Sequence, residues 1–540
     1  MRKPRLANGL LAAAAGALLA ASFPKPGWSA CAWFALVPLL RAIDGESVGR
    51  AFRLGWIAGA LFFCLSLDWI PATIARAAGT SRFAASMPLV AMAAALALYP
   101  ALFAAGLRYW QTRVGGDGLA MAIALWVGLE WCRATVLLPC PWDLLGYSQS
   151  ASLRLLQVCE ITGIYGVSAL VVGANHGLYG LLSRRTRPVR LALLGALCAL
   201  AVWYGDRRIA EIRAERPRRT LRIALVQPAI DPDQKWDPST REETLSLQEE
   251  LSRAAAAQGA DLVVWPEASA PYVFAEDKVY ASDSRRFAAD RQSRDRMITF
   301  VRGLGTPLLF GSTALKERAL GRGGAWSPVN RSLLLAPNGR LEAQYDKIIL
   351  VPFGEYVPLS RFLWFVPKLV PSVGDFVPGS GPTLFALREA HFAVLVCYEA
   401  IFPDFARTMV ARGADFLVNQ TNDGWFGDSR APFRHLAMAA VRAIENRVAL
   451  VRVANTGISA VVRPDGAIES TIPLGARGVR IVEVGADRRA GTFYGRHGDW
   501  FAKAAVLAAV VMLVYASWSI PGPQPRPSEW LGRDLHAVGR

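Results

Sequence analysis

The sequence predicts a two-part chain: a multi-span α-helical membrane domain of about eight transmembrane helices, joined to an α/β domain. Three observations predict it. Of 540 residues, 53% are hydrophobic and only 19% charged, below the ~25% charged usual in soluble domains. The charges are unevenly placed: sparse over 8–205, ordinary over 206–497 and absent over 504–520. From 221 onward, short β-branched runs alternate with amphipathic stretches, the pattern of an α/β fold.

A membrane span needs ~20 mostly apolar residues. The candidates are 8–24, 27–43, 53–75, 84–107, 118–136, 155–182, 189–205 and 500–520. Arg2, Lys3 and Arg5 before an apolar run resemble a signal peptide, and Trp28-Ser29-Ala30-Cys31 loosely resembles a lipoprotein cleavage box. A second apolar stretch follows at once, so an uncleaved first transmembrane helix is expected. The expected organisation is 1–205 as seven helices, 206–220 as linker, 221–498 as the soluble domain, 499–521 as the last helix and 522–540 as a tail.

Lys plus Arg is 60 against 43 for Asp plus Glu, a net +17. No nucleic-acid motif, zinc-ligand spacing or aromatic–basic interleaving accompanies it. The excess fits the positive-inside bias of membrane proteins. Placing Arg41, Arg50, Arg53, Arg108, Arg113, Arg184, Arg185, Arg187 and Arg190 inside leaves only Lys25, Arg76, Arg82, Arg133 and Arg154 in short outer loops. Both termini are then cytoplasmic and the α/β domain is translocated. Arg207, Arg208, Arg213, Arg216, Arg218 and Arg219 oppose this, but they lead into a large domain, where the rule weakens. Glu130 and Arg133, three apart at a helix end, read either as a functional intramembrane pair or as a plain ion pair. Asp68 and Glu160 carry the same ambiguity. The loop Pro139–Tyr147, rich in turn formers and aromatics, reads as an interfacial anchor.

In the soluble part, Leu221–Val226 reads as a buried strand. Ser239-Thr240-Arg241-Glu242 fits a capping box opening a helix to about Gln258. Gly259-Ala260-Asp261 leads into the strand Leu262–Trp265. The device returns: a helix after Cys397 ends at Gly413-Ala414-Asp415, and the strand Phe416–Val418 follows. This echo suggests two similar βα halves. Helix 432–446 then precedes strand Val448–Val453. Open α/β sheets bind ligands beyond the carboxyl ends of their strands. Glu267, Lys347 and Cys397 all fall there.

Of seven Cys, six lie in the apolar part and Cys397 alone in the soluble part. A lone Cys with suitable partners is a nucleophile candidate. A free thiol of pKa ~8.5 attacks poorly at neutral pH. A carboxylate base takes its proton, and a helix N-terminus after Cys397 would favour the thiolate. A fixed ammonium and the backbone N–H after the nucleophile would stabilise the oxyanion, each donor being worth ~3–4 kcal/mol. No His is required; His391, His435 and His497 show no zinc-type spacing.

In these contexts the order Glu, Lys, Cys resembles the nitrilase (carbon–nitrogen hydrolase) superfamily. The supporting motifs are Val226-Gln227-Pro228 with Lys235-Trp236, Trp265-Pro266-Glu267, Asn330, Tyr345-Asp346-Lys347, Val351–Pro358, Val396-Cys397-Tyr398-Glu399 and Asn422–Gly427. Flanked by membrane helices, with Glu130-Trp131, Arg133, Pro141-Trp142 and Gly146–Gln149, the chain resembles the apolipoprotein N-acyltransferase family of the bacterial inner membrane. That resemblance covers nearly the whole chain. It implies an α-β-β-α sandwich and a periplasmic catalytic domain. Its substrates would be a glycerophospholipid donor and a diacylglyceryl apolipoprotein acceptor, met at the lipid bilayer by a monomer without cofactor or metal. It makes Cys397 the acyl carrier, Glu267 the base and Lys347 the oxyanion partner. It places Glu355, Tyr398 and Glu399 near the nucleophile and makes Trp142, Trp236, Asn330 and Trp425 supporting or binding residues. The apolar segment 359–371, with Phe362, Trp364 and Phe365, reads as an arm resting on the bilayer. Two other readings stand beside this one: a membrane-anchored amidase or nitrilase acting on small amides or nitriles, and a non-enzymatic module. Retention of Glu267, Lys347 and Cys397 together argues against the last.

Overall fold

The computed structural model describes residues 3–116, 118–184, 188–235, 237–317, 326–358, 376–487 and 491–519. Trp236 and the 359–371 arm lie outside them.

Among the described residues, thirteen strands form two sheets. In chain order they are β1 Thr220–Gln227, β2 Leu262–Val264, β3 Ala270–Val273, β4 Leu308–Glu317, β5 Trp326–Leu335, β6 Leu341–Asp346, β7 Leu384–Leu387, β8 Ala390–Val396, β9 Phe416–Thr421, β10 Ala449–Ala454, β11 Ser459–Val462, β12 Ile468–Ile472 and β13 Gly478–Gly485. The first sheet runs β13-β1-β2-β4-β5-β6, with β3 also on β4; the second runs β12-β11-β10-β9-β8-β7. The centres are parallel (β1–β2–β4 and β8–β9–β10), and antiparallel strands flank them. Parallel strands need both faces covered. Ile223 and Leu225 meet Phe392, Val394, Phe416 and Val451 between the sheets. Ala224, Val263 and Trp265 pack outward with Leu245, Met297 and Phe300 of helices Arg241–Ala256 and Ala288–Leu304. These layers form an α-β-β-α sandwich.

The Gly-Ala-Asp echo has a physical basis. Asp261 accepts from the N–H of Arg222 and Asp415 from that of His391, both at 2.8 Å. Each aspartate's own N–H returns a bond to the same residue's carbonyl, at 2.7 Å in both cases. Each sheet thus registers a parallel strand against its neighbour by the same device. The capping box expected at Ser239 does not form. Asp237 accepts from the N–H of Ser239 and caps a short 3₁₀ turn, and helix Arg241–Ala256 starts from Thr240 without a side-chain cap.

Among the described residues, four helices are long and apolar enough to cross a membrane: Val48–Ser66, Arg82–Arg113, Val189–Ala214 and Trp500–Trp518. A fifth would be the pair Leu153–Thr162 and Ile164–Leu182, bent by 118°. Eight unbroken spans are therefore not seen. An apolar run does not report backbone breaks. The 155–182 stretch turns at Gly163, whose φ is +65°. The 27–43 stretch divides into a 3₁₀ turn and the short helix Val37–Ile43, and 53–75 divides after Ser66. The helix expected to stop at 205 continues to Ala214, so the first half of the expected linker is helical.

The outer helical layer of the sandwich is the seam with the membrane helices. In helix Ala431–Asn446, Leu436, Ala439 and Ala443 pack toward the second sheet, while Met438, Val441 and Ile444 join the core of the membrane helices. The seam also takes polar groups. Arg434 pairs with Asp143 and donates to the carbonyls of Ala20, Pro24 and Ser66. Arg447 binds Glu160 and Gln157, both at 2.6 Å. Glu130 accepts from the N–H of Leu145, and Arg133 donates to the carbonyls of Cys140 and Trp142. Asp68 pairs with Arg430. Asp68, Glu130, Arg133 and Glu160 each thus hold a partner within the described fold. The loop expected at the interface is instead a buried wedge, with every residue from Pro141 to Ser148 buried.

Candidate active site

Three short segments converge at the carboxyl edge of the sheets. β2 delivers Glu267, β6 delivers Lys347 and β8 delivers Cys397. Just after Glu267, two residues before Glu355 and at Cys397 itself the backbone is left-handed at a non-glycine residue: Ala268 at φ +46°, Phe353 at +62° and Cys397 at +51°. Such conformations cost on the order of 1–3 kcal/mol and persist where the surroundings over-determine them. The Glu267 turn also crosses β4 closely. A Cβ on Gly311 would sit 2.4 Å from the Ala268 nitrogen, so this position admits only glycine.

Glu267 is buried and fully engaged. One oxygen accepts from Asn330 at 2.8 Å and from the Lys347 ammonium at 3.4 Å; the other accepts from the N–H of Asn422 at 3.0 Å. Lys347 also donates to Glu355 at 3.0 Å, and Asn330 binds the same Glu355 oxygen at 3.1 Å. The second Glu355 oxygen takes the N–H of Val351. Burial opposes the charge on Lys347, but Glu355 and Glu267 outweigh it, so its pKa is raised and the ammonium is fixed.

Cys397 behaves differently from expectation. Burial, followed by the charge of Glu267, pushes its thiol above the ordinary value; Lys347 opposes this without reversing it. The element after it is a five-residue 3₁₀ turn, Cys397–Ile401, and a separate helix follows at Pro403–Ala411. No long helix dipole is aimed at the sulfur. At rest Cys397 is therefore a protonated thiol, with the Glu267 carboxylate among the charges that act on it.

Glu399 is the clamp between segments. Its carboxylate accepts from Tyr345 at 2.7 Å and from the N–H groups of Ile348 and Ile349 at 2.7 and 3.1 Å, on either side of Lys347 in sequence and space. Its other oxygen takes the N–H of Val396, just before Cys397. Burial raises its pKa to about 7, against the bonds from Tyr345, Val396 and Ile348 and the charge of Lys347. Tyr398 points away from this cluster and donates to the Pro139 carbonyl in the membrane wedge. Trp142 is buried beside Trp69, Phe426 and His435, an aromatic group at the seam. Trp425 is half-buried, its carbonyl bound by Thr73 of the helical part.

Glu267, Lys347, Cys397, Asn330, Glu355 and Glu399 thus come together. Tyr398, Trp142 and Trp425 lie toward the helices. Several residues without an assigned role also join the site. Asn422 bonds Glu267 directly. Lys235 donates to the Glu267 carbonyl at 3.0 Å. Gln420 donates to the Trp265 carbonyl at 2.7 Å and accepts from Ser332, tying both sheets to the Glu267 turn. His435, Asp423 and Arg452 form a buried chain behind Cys397. Asn422, Asp423 and Lys235 sat in motifs whose parts were not separated by role. His435 offered no signal except its rarity. Among the described residues, no cluster of His, Cys, Asp and Glu is arranged to hold a metal ion.

The chain is similar to known proteins in both parts. A family model described as carbon–nitrogen hydrolase matches residues 222–492, and one described as apolipoprotein N-acyltransferase N-terminal domain matches 15–177. A protein named apolipoprotein N-acyltransferase from Geobacter metallireducens is 39% identical over 519 residues, covering 94% of this chain and 95% of that one. One of the same name from Chlorobaculum tepidum is 30% identical over 533 residues, covering 93% and 95%. The chain belongs to the apolipoprotein N-acyltransferase family. Among solved structures, an amidase from Nesterenkonia sp. matches at 24% identity with a TM-score of 0.36, covering 50% of this chain and 91% of that one. Glu267, Lys347 and Cys397 lie inside the carbon–nitrogen hydrolase match.

Proposed function

We propose that this family member transfers an acyl chain from a glycerophospholipid to the α-amino group of the diacylglyceryl-modified N-terminal cysteine of apolipoproteins, through a thioester on Cys397. One observation carries the reading. Glu267 and Lys347 meet at 3.4 Å under the charge-sensitive thiol of Cys397, and the next residue, Tyr398, is bonded to the membrane wedge. That bond to the helical part supports the reading that a lipid-borne ester reaches Cys397.

In the first half-reaction Glu267 takes the thiol proton as Sγ attacks the ester carbon. Lys347 and the N–H of Tyr398 stabilise the oxyanion. The C–O bond breaks, and the proton on Glu267 passes to the leaving oxygen of the lysophospholipid. In the second half-reaction the acceptor amine attacks the thioester and gives a proton to Glu267. The C–S bond breaks and the sulfur recovers that proton. Asn330 and Glu355 hold Glu267 and Lys347 in place throughout. Hydrolysis of small amides is the weaker reading, because the 39% identity runs through the helical part as well as the sandwich.

The wider setting is part of the same proposal: an eight-span chain of the bacterial inner membrane, some spans short or bent, with the sandwich in the periplasm. The arginine distribution supports this orientation. Action as a monomer belongs to the same proposal.

The experiment is to incubate purified protein with a phospholipid and read the Cys397 peptide by mass spectrometry. An added acyl mass, lost on adding a diacylglyceryl peptide, is expected. An unmodified Cys397 would sink the reading. A reporter in the β5–β6 turn at exposed Asn338 should be active only outside the cytoplasm; the opposite result would invert the topology.

A further inference from the structure

Against the backbone of Cys397 runs a buried polar chain that the mechanism above does not use. The Nε2 of His435 lies 3.1 Å from the carbonyl oxygen of Cys397. Its Nδ1 lies 3.1 Å from Asp423 Oδ1 and 3.2 Å from Arg452 Nη2. Arg452 donates to Asp423 Oδ2 at 2.6 Å and also holds Asn419. Asn419 in turn donates to the Leu395 carbonyl at 2.8 Å. All four side chains are about 99–100% buried. Trp142, from the membrane wedge, lies against the His435 ring at 6.1 Å between centroids.

The contact with a carbonyl oxygen fixes one proton. An acceptor faces Nε2, so Nε2 carries hydrogen whether the ring is neutral, with Nδ1 accepting from Arg452, or charged, with Nδ1 donating to Asp423. Burial, then the charge of Arg452, lower the ring's pKa, favouring the neutral form.

We propose that His435 is a positioning residue of this site: by holding the Cys397 carbonyl, it aims the N–H of Tyr398 at the oxyanion. A trans peptide unit is planar, and its C=O and N–H point in opposite directions. The Cys397 carbonyl and the Tyr398 N–H belong to one such unit. Pinning the oxygen from behind therefore sets the direction of the donor in front. The device is needed here because Cys397 is left-handed, at φ +51°, and that strained torsion would otherwise relax and rotate the peptide. The chain to Asp423 and Arg452 keeps the ring from turning, and Trp142 closes it off from the membrane side.

The inference rests on Cys397 as the acyl carrier, and the test separates the two. The reaction is followed as acylation of Cys397 by phospholipid and, in parallel, by a water-soluble p-nitrophenyl ester that needs no lipid site. Failure of wild-type protein with phospholipid but not with the soluble ester would count against the proposed function alone. Alkylation of Cys397 by iodoacetamide is the control, since displacement at a saturated carbon forms no oxyanion. We expect His435→Ala to slow acylation by either ester at least tenfold, within the ~10²–10³-fold cost of losing a whole oxyanion donor, with alkylation nearly unchanged. His435→Gln, whose amide nitrogen reaches as far as Nε2, should restore most of the rate. His435→Asn, which reaches only to the Nδ1 position and Asp423, should not. Acylation by His435→Ala within threefold of wild type would overturn the proposal. So would a parallel loss of acylation and alkylation, or equal rescue by Asn and Gln.

Discussion

The hydroxyl of Tyr398 donates to the carbonyl oxygen of Pro139 across 3.1 Å, so the residue that follows the nucleophile is fastened to the helical part of the chain. The Tyr398 ring also stands edge-on to Phe402 at 5.0 Å. Tyr398→Phe keeps that ring contact and removes only the bond. A net hydrogen bond is worth ~1 kcal/mol, more when a buried carbonyl is left unpaired. We expect a lowered melting temperature in detergent and a several-fold slower acylation by phospholipid, with a smaller effect on a soluble ester. Equal losses on both esters would mean that the bond shapes the nucleophile rather than its docking to the membrane part.

Cys397→Ser should remain folded and lose turnover. A serine hydroxyl is a far weaker acid than a thiol, and the site holds even the thiol protonated at rest. Near-normal N-acylation by this variant would remove the thioester from the mechanism.

Glu267→Gln and Lys347→Met should fail at different points. The first removes the base and should cut Cys397 acylation ~10²–10⁴-fold. The second removes the charge at the oxyanion and should slow both acylation and transfer while lipid binding survives. It also leaves Glu355 without its cation, so its melting temperature must be compared with that of wild type. Acylation at the normal rate in either variant would reassign that residue.

Arg434 and Asp143 form a fully buried pair across the seam. Removing one partner of such a pair typically costs ~3–5 kcal/mol, because the other charge is left unpaired. Arg434→Met alone should strongly destabilise the protein. Arg434→Met with Asp143→Asn should recover part of the loss, although the carbonyls of Ala20, Pro24 and Ser66 stay without their donor. A double variant as unstable as the sum of the two singles would show that the pair is not coupled.

Lys235 gives a pH dependence. Burial lowers its pKa from 10.5 to about 8, with Glu267 acting in the opposite direction. Below about pH 8 both folded and unfolded chains carry the ammonium, and the penalty of burying it is constant. Between about pH 8 and 10.5 the folded chain gives up the proton first. The unfolded chain then binds more protons, and stability rises with pH, by on the order of 3 kcal/mol across the window. Melting temperatures of wild type minus Lys235→Met should show this rise. A flat difference would mean that the ammonium is not suppressed in the fold.

The sequence by itself determined the two-part organisation, the α/β alternation and the three chemical groups at strand ends, because these follow from local properties: apolar run length, periodicity and residue type. It even showed the internal echo of Gly259–Asp261 and Gly413–Asp415, although the bonds behind it, to Arg222 and His391, reach 39 and 24 positions along the chain. Only the tertiary structure decided where apolar runs break, because a left-handed Gly163 is a backbone event that hydropathy does not register. It also decided the state of the thiol. The sequence suggests a helix N-terminus favouring the thiolate, whereas burial and the Glu267 charge keep the proton on sulfur. The partners of Glu130, Glu160 and Arg434 came in the same way, from up to 414 positions away along the chain. His435 is the clearest case. In sequence it is a histidine on an apolar helix; in space it meets the Cys397 carbonyl 38 positions away. A polar side chain's function is set by which buried group must be satisfied beside it, and that neighbour is chosen by packing of the whole chain.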